Sequence, residues 1–337
     1  YERVTPVKRI LLISCLVSIL LLSVIAEGAP KMKVMLYSSM KDSQLSALQQ
    51  NFTKKYPNIA FDYYTAGTGK VMTKIAAEQQ AGGIAADLIW VGEPTNYIEF
   101  KNQGLLEQYE SPEAKTISSS LKDPDNYYCA ARIVGLGIAY NTNNVKGKDI
   151  PKDWNDILDP KFKGIVGMTD PIFAGTTLYT VAAITQNEQL GWDYLVKLKA
   201  NDVKLVQGSS DVINKVASGE YDVCIGVDYI AKDKAQQGSP VGFVYPASGA
   251  SVVASPIAII KGTNNLEAAK ILYDYILSLE GQSVLVQANT FPVRPEIKLQ
   301  DMSVDDLINT ALPVDDNRLL LEKDDMLSKF DSIMKKK

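Results

Sequence analysis

The residues with the clearest chemical potential form a glycine-rich turn, AGTGK, at residues 66–70, between a strand-like and a helix-like run. A nucleotide-binding P-loop needs a glycine five places before its Gly-Lys pair and a Ser or Thr directly after it. Tyr64 and Val71 occupy those positions, so a P-loop is disfavoured. Thr68, Gly69 and Lys70 still offer free helix-start amides and one positive charge, which favour an anion. From these letters alone, a tight structural connection is the simpler interpretation.

The composition narrows the classes of function. The 337 residues include no histidine, which removes the usual general base, the commonest metal ligand and every Ser-His or Cys-His nucleophile pair. A net charge of -4 argues against a nucleic-acid partner, because nucleic acid requires a basic surface. Apolar content of 46% and charged content of 22% are typical of a globular protein long enough for two domains.

The N-terminus has the pattern of an export signal over residues 1–28. Lys8 and Arg9 precede a long apolar run, and the small residues Ala26 and Gly28 follow it. We expect cleavage, with the mature chain starting near Ala29 in the periplasm or another extracytoplasmic compartment. Retention of the run as a membrane anchor is an alternative, because its length is borderline for a span.

The three cysteines leave two questions open. Cys15 lies in a stretch similar to a lipid-attachment box, but the apolar run continues past it, so lipidation is a minor option. Cys129 and Cys224 both lie in apolar, strand-like runs. Export permits a disulfide between them, and buried free thiols explain the same pattern.

From Lys33 onward the pattern alternates short strands and amphipathic helices, which predicts an α/β fold with doubly wound mixed sheets that are mostly parallel. The runs ARIVGLGIAYNTN and ASVVASPIAII are long enough to cross between two lobes. We therefore predict a two-lobed clamshell. Lobe 1 comprises residues 29–138 and 256–337, and lobe 2 comprises residues 139–255. Hinge closure would trap a ligand between them.

A family resemblance extends over nearly the whole predicted mature chain. It rests on the order and spacing of YSSMKDSQ, AADLIWVGEP, GLGIAYNTNNV, PKDWNDILDPKFKGIVGMTDP, VINKVASGEYDVCIGVDY, SPIAIIKGTNNLEAAKILYDYILSLEGQ and FPVRPEI. The chain resembles the extracytoplasmic substrate-binding proteins of ABC importers, in the type 2 group that includes ferric-iron, polyamine, thiamine, 2-aminoethylphosphonate and sugar-phosphate binders. The resemblance implies a monomer that needs no cofactor and delivers its small ligand to a permease with a separate ATPase subunit.

In that family the ligand lies among loops after strands and helix starts, so the GTGK turn gains a functional interpretation. Hydroxyls, amides and one lysine favour a phosphate- or phosphonate-bearing metabolite. The carboxylates of Glu93 and Asp228 and the phenol of Tyr229 are expected to bind the rest of the ligand. The predicted binding residues are Ser38, Ser39, Thr68, Gly69, Lys70, Glu93, Ala174, Gly175, Thr176, Thr177, Ser210, Asp228 and Tyr229. Helix capping is an equally simple role for Ser209, Ser210, Thr176 and Thr177.

Ferric iron is the alternative ligand. The resemblance implies a tyrosine pair as iron ligands, and this chain has Asp228-Tyr229-Ile230 at that place, with one tyrosine instead of two. Glu93 and Tyr140 are the other candidate ligands, while Lys41 lies near the place of the family's histidine and would repel a cation. A hydrolase on the same fold is the rival class, and its acid-base pair would have to be Asp228 and Glu93.

Overall fold

The computed structural model describes residues 32–299 and 302–335. The predicted signal segment, residues 1–28, lies outside this part of the chain. The strands are β1 Met32–Ser38, β2 Ile59–Thr65, β3 Leu88–Trp90, β4 Cys129–Asn141, β5 Val166–Thr169, β6 Lys204–Val206, β7 Val223–Val227, β8 Val241–Val244 and β9 Ser251–Ile259. The helices are α1 Asp42–Lys55, α2 Thr68–Gln80, α3 Thr95–Asn102, α4 Gly175–Gln186, α5 Gly191–Ala200, α6 Ser209–Ser218, α7 Asp228–Gln236, α8 Leu266–Leu277, α9 Leu279–Gln287, α10 Val304–Asn309 and α11 Asp316–Met334.

The strands form two halves joined by a central antiparallel pair. Their order is β2-β1-β3-β9-β4-β7-β5-β6, and β8 pairs with β4 off this path. The pairs β1–β2, β1–β3, β5–β6 and β5–β7 are parallel, so the helices that connect these strands cover the sheet faces. β4 and β9 pair with each other over Cys129–Leu136 and Ser251–Ile257. These two strands are the extended crossings that the sequence predicts.

Alternating side chains along β1 fill both faces of the first half. Leu36 packs in one buried cluster with residues of α1, α8 and α9, and Tyr37 packs in another with residues of α2 and α3. The second half has its own core around β4, β5, β7 and the helices α4–α7. The two halves thus have separate cores, which gives the two-lobed α/β clamshell that the sequence predicts.

The last helix, α11, packs against the core of the second lobe. Its buried residues Leu319, Met326, Phe330 and Met334 belong to that cluster, and burial of each such side chain contributes about 1.5–3 kcal/mol. The sequence-based boundary placed residues 256–337 in lobe 1. The boundaries remain a proposal, and the packing of α11 favours assigning Asp316–Met334 to lobe 2.

The two cysteines after the N-terminal segment lie in different cores. Cys129 is buried in the first lobe and Cys224 in the second, and neither forms a disulfide. Burial raises the pKa of Cys129 to about 12 and raises that of Cys224 as well, so both thiols stay protonated. Across residues 32–299 and 302–335, no helix has the length and apolar character needed to cross a bilayer.

Candidate functional site

A cleft of about 280 Å³ lies between the lobes, at the carboxyl ends of the parallel strands. In an open α/β sheet this is the edge where ligands collect, because loops and helix starts converge there. The cleft is lined by Ser39, Met40, Lys41, Asp42, Thr65, Ala66, Gly67 and Thr68 from the first lobe, by Arg132 and Val134 from β4, and by Phe173, Ala174, Gly175, Thr176, Gln207, Gly208, Ser209, Ser210, Val227, Tyr229 and Ile230 from the second lobe.

The starts of several helices surround this cleft. α2 begins at Thr68, α4 at Gly175 and α6 at Ser209, and in none of these three does the N-cap side chain bond a first-turn amide. The N-cap residues of α4 and α6 are Ala174 and Gly208. Ser210 and Thr176 are therefore inside their helices, and the capping interpretation of these residues does not apply. The Lys70 and Asp211 amides already donate to the Gly67 and Gly208 carbonyls, so the amides of the first two residues of each helix are the ones that can meet an anion in the cleft.

Arg132 is the principal group that sequence reasoning missed. Its side chain is 1% exposed and lines the cleft from β4, opposite Ser255 of β9. Nε donates to Ser255 Oγ at 3.3 Å, while Nη1 has no hydrogen-bond partner. A buried guanidinium with an unpaired N–H is costly, which makes an anionic partner from the cleft favourable. A lone arginine inside an apolar strand, CAARIVGLGIAY, was the available signal.

Aromatic rings hold the guanidinium in place. Its central carbon lies 5.7 Å from the centroid of the Trp90 ring and 5.8 Å from that of Tyr229. Trp90 is fully buried and donates Nε1 to the Ser255 carbonyl at 3.2 Å, so it both packs the core and supports Arg132. Burial raises the pKa of Tyr229, although Arg132 beside it acts in the opposite direction.

Lys41 supplies a second cation to the cleft. It bonds Asp233 of α7 at 3.2 Å, a contact between the two lobes, and its Nζ lies 5.7 Å from the centroid of the Tyr229 ring. Lys41, which lies near the place of the family's histidine, thus lines the cleft. Its positive charge disfavours a bare metal cation there.

The structure brings together about half of the predicted binding residues. Ser39, Thr68, Ala174, Gly175, Thr176, Ser210 and Tyr229 line the cleft. Ser39 Oγ also accepts from the Gly92 amide at 3.0 Å, which fixes the loop after β1 to the loop after β3. These residues come from loops and helix starts of both lobes, and their role in binding stays a prediction.

Four other predicted residues do not line the cleft. Ser38 is fully buried, because its hydroxyl donates to the Trp90 carbonyl at 2.7 Å and accepts from the Met40 amide at 3.1 Å. Lys70 is exposed on α2, and Gly69 packs against the second lobe. Thr177 is buried within the first turn of α4.

The placement of Glu93 also differs from the prediction. This carboxylate is 3% exposed, and Oε1 accepts from Lys323 Nζ at 2.5 Å and from Thr95 Oγ1 at 2.6 Å. Lys323 belongs to α11, so Glu93 joins the first lobe to the C-terminal helix rather than lining the cleft. The partner lies 230 residues away in the sequence, which is why local reasoning could not find it.

Asp228 is a structural carboxylate rather than a cleft residue. It accepts from the Tyr229 amide at 2.6 Å, the Tyr245 hydroxyl at 2.8 Å and the Gly135 amide at 3.2 Å. Lys232 Nζ bonds the same tyrosine hydroxyl at 3.1 Å. Asp228 thus fastens the start of α7 to the crossing strand β4. A side chain at Gly135 would collide with this carboxylate, since its Cβ would lie 2.8 Å from Oδ2.

This carboxylate predicts a pH dependence of stability. Burial raises the pKa of Asp228 from 3.8 to about 6, and Lys232 and the bonded hydroxyl and amides only partly oppose it. Because the folded state binds this proton more tightly, its contribution is complete below about pH 4 and is lost as pH rises through 6. The unfolding free energy of the wild type minus that of Asp228→Asn should therefore fall by up to about 3 kcal/mol between pH 4 and 7. Urea titrations of both proteins at several pH values measure it, and a constant difference would contradict the assignment.

The predicted iron ligands do not lie together. Tyr229 lines the cleft, Glu93 is bound to Lys323, and Tyr140 lies toward the far end of β4, opposite Val223 and Gly242. Within the described ranges there is also no cluster of three His, Cys, Asp or Glu side chains suited to a metal.

The lobes meet at glycines on one side of the cleft. A Cβ at Gly67 would lie 2.7 Å from the Phe173 carbonyl oxygen, and one at Gly69 would lie 2.5 Å from the Ile172 carbonyl oxygen. Neither distance is tolerated by a real side chain, and both neighbours are backbone atoms that cannot swing away. The glycines of the GTGK turn therefore allow close contact between the lobes.

A second glycine pair continues this contact. A Cβ at Gly175 would lie 2.8 Å from Glu93 Cβ, and one at Gly92 would lie 2.8 Å from Thr176 Cγ2. We call the four glycines Gly67, Gly69, Gly92 and Gly175 the glycine seam. It brings the start of α4 against the loops of the first lobe, so the described conformation is a closed one.

Two α/β lobes closed over a cleft, with a buried cation and helix starts among its walls, define a two-lobed solute-binding protein. The family model described as bacterial extracellular solute-binding protein matches residues 85–327, and the chain belongs to this family. It is a type 2 periplasmic substrate-binding protein and the substrate-binding component of an ABC-type transport system.

Individual relatives have different ligands in their names. A putative 2-aminoethylphosphonate-binding periplasmic protein from Salmonella typhimurium is 27% identical over 269 residues, which are 77% of each chain. The structure of the periplasmic binding protein AfuA from Actinobacillus pleuropneumoniae, with fructose-6-phosphate bound, is 26% identical with a TM-score of 0.81 over 90% of this chain and 99% of that one. Iron-bound HitA from Pseudomonas aeruginosa is 21% identical with a TM-score of 0.77 over 90% and 99%, a likeness of fold alone. These relatives are binding proteins, and their names support a periplasmic location.

Proposed function

We propose that this protein captures a small metabolite bearing a phosphate or phosphonate group and delivers it to the permease and ATPase subunits of an ABC importer. The observation that carries the proposal is Arg132, buried in the cleft lining with one guanidinium nitrogen unpaired. A phosphoryl oxygen is a strong acceptor for that N–H, and the bond would be charge-assisted.

The helix starts add a second source of attraction. Amides at Thr68, Gly175 and Ser209 approach the cleft from both lobes, each at the positive end of a helix. A tetrahedral anion with three or more oxygens can accept from several of them together. Contacts from both lobes would stabilise the closed form over the open form, which couples binding to closure.

Ferric iron remains the alternative because Tyr229 lines the cleft. Its phenol is protonated at neutral pH, since burial raises its pKa, and Arg132 and Lys41 flank its ring. A cation would meet the unpaired charge of Arg132, the Lys41–Asp233 ion pair and one predicted ligand. The arrangement favours an anion on both counts.

A hydrolase on this fold has less support. Its predicted acid-base pair, Glu93 and Asp228, is committed to other contacts outside the cleft lining. We propose reversible binding by a monomer that needs no cofactor, in the periplasm, after cleavage of the segment at residues 1–28.

A thermal-shift panel tests the proposal. It should contain inorganic phosphate, fructose-6-phosphate with fructose as its matched control, 2-aminoethylphosphonate, putrescine, thiamine and ferric citrate. We expect a phosphorylated or phosphonylated compound to stabilise the protein by about 2.7 kcal/mol at a hundredfold excess over its Kd. Orange protein with stoichiometric iron and no response to any phosphoryl compound would make ferric iron the favoured ligand. Tyr229→Phe should weaken iron strongly and an anion little.

A further inference from the structure

A second cavity of about 480 Å³ lies on the opposite face of the two crossing strands. We call it the reverse cavity. A bulge between Ala130 and Arg132 determines which side of the ribbon each side chain of β4 occupies. Arg132 and Val134 line the cleft, while Ala130 and Ile133 line the reverse cavity. From β9, Val252 and Ala254 contribute to the same wall. The two cavities thus lie on opposite sides of one ribbon.

Most residues that line the reverse cavity are apolar, and they come from both lobes. Ile98 of α3 lies on the first-lobe side and Tyr179 of α4 on the second, and the segment between α10 and α11 closes it with Leu312 and Val314. Its volume falls in the range of about 300–1,000 Å³ that is common for small-molecule sites. The cleft does not share these residues, so the reverse cavity is a separate place in the molecule.

One oxygen of a lining carboxylate lacks a donor. Asp316, the first residue of α11, has Oδ1 buried without a hydrogen-bond partner. Burial raises its pKa, and the nearby Tyr179 hydroxyl opposes that effect. Lys122 also lines the cavity, but its Nζ donates to the Ala114 carbonyl at 2.9 Å. The neighbouring Asp315 accepts from the Arg318 amide as the helix cap.

We propose that the reverse cavity binds a small organic cation, with an ammonium group near Asp316 and an apolar body against β4 and β9. An ammonium supplies both the missing donor and the opposite charge, and apolar walls favour a hydrocarbon body. A free phosphate carries the same sign of charge as the carboxylate, and a sugar supplies hydroxyl donors but no positive charge. This site is independent of the ligand in the cleft.

The probe is cyclohexylammonium chloride, with cyclohexanol as its uncharged control, followed by amide shifts in an NMR titration of the wild-type protein. We expect saturable shifts at amides of Ile133, Val252 and the start of α11, and no comparable response to cyclohexanol. Asp316→Asn should weaken the amine by about tenfold or more, because it removes a buried charge-assisted bond. Ala254→Leu should also block amine binding, because the larger side chain fills the cavity. This second variant tests the proposal if Asp316→Asn folds poorly.

Arg132→Met is the matched control, because it alters the opposite face of the same ribbon and should leave amine binding unchanged. The proposal is overturned if the shifts do not saturate at the highest amine concentration at which the protein stays soluble. It is also overturned if Asp316→Asn and Ala254→Leu both bind the amine as the wild type does. Equal binding of cyclohexanol would also overturn it, since the carboxylate would then have no role.

Discussion

Replacing Arg132 with methionine should abolish most ligand affinity and leave the protein folded. The buried guanidinium is the one side-chain cation of the cleft lining that makes no ion pair with a protein carboxylate in the described structure. Loss of its bonds to a bound phosphoryl group should weaken binding by about 2–5 kcal/mol, roughly 30- to 5,000-fold. Isothermal titration calorimetry with the phosphoryl compound found in the thermal-shift panel measures this loss.

The unliganded Arg132→Met protein should be at least as stable as the wild type. An unpaired buried charge is replaced by an apolar side chain of similar length, which is neutral or stabilising in many proteins. Lys70→Ala is the control for a lost positive charge. Lys70 is exposed on α2 and absent from the cleft lining, so this variant should bind within about twofold of the wild type. Wild-type affinity in Arg132→Met would remove the basis of the proposed function.

The second large effect is expected from a single methyl group in the glycine seam. In Gly69→Ala the new Cβ would lie 2.5 Å from the Ile172 carbonyl oxygen, so the lobes cannot close to the described position. Overpacking of this kind costs about 1–3 kcal/mol, which should weaken binding roughly 5- to 150-fold. Small-angle scattering with saturating ligand should show a larger radius of gyration than for the liganded wild type.

Gly69→Ala should not destabilise the separate lobes. The residue is the second of α2, and alanine is preferred over glycine in helices by up to about 1 kcal/mol. We therefore expect an equal or higher Tm without ligand, together with weaker binding. Gly83→Ala is the matched control, because a Cβ there meets nothing within 4 Å. If Gly69→Ala closed and bound as the wild type does, the seam would have no role in closure.

Local patterns predicted the fold well, because each strand and helix of an α/β lobe is encoded by a few neighbouring residues. The strand β9 at Ser251–Ile259 and the helix α2 at Thr68–Gln80 fall where the apolar spacing placed them. Helix starts in the cleft were also predictable, because Gly, Ser and Thr after a strand are a local signal. The family match and the two cores confirm the predicted two-lobed architecture.

The charged residues of the site were less predictable, since their partners are distant in the chain. Glu93 is bound by Lys323, and Lys41 by Asp233, across 230 and 192 residues. Arg132 faces the cleft because of a strand bulge that pairs it with Ser255. No local period reports such a bulge, so the arginine was hidden in a run that looked like an ordinary buried strand.

Arg132 belongs to a strand that also connects the lobes, and this position has a kinetic consequence. A group on the connecting ribbon moves little when the lobes rotate, whereas the helix starts at Gly175 and Ser209 travel with the second lobe. If the ligand is the proposed anion, it should meet the guanidinium before the remaining amides arrive. We then expect the arginine to govern the association rate and the tightness of the seam to govern how long the solute is retained.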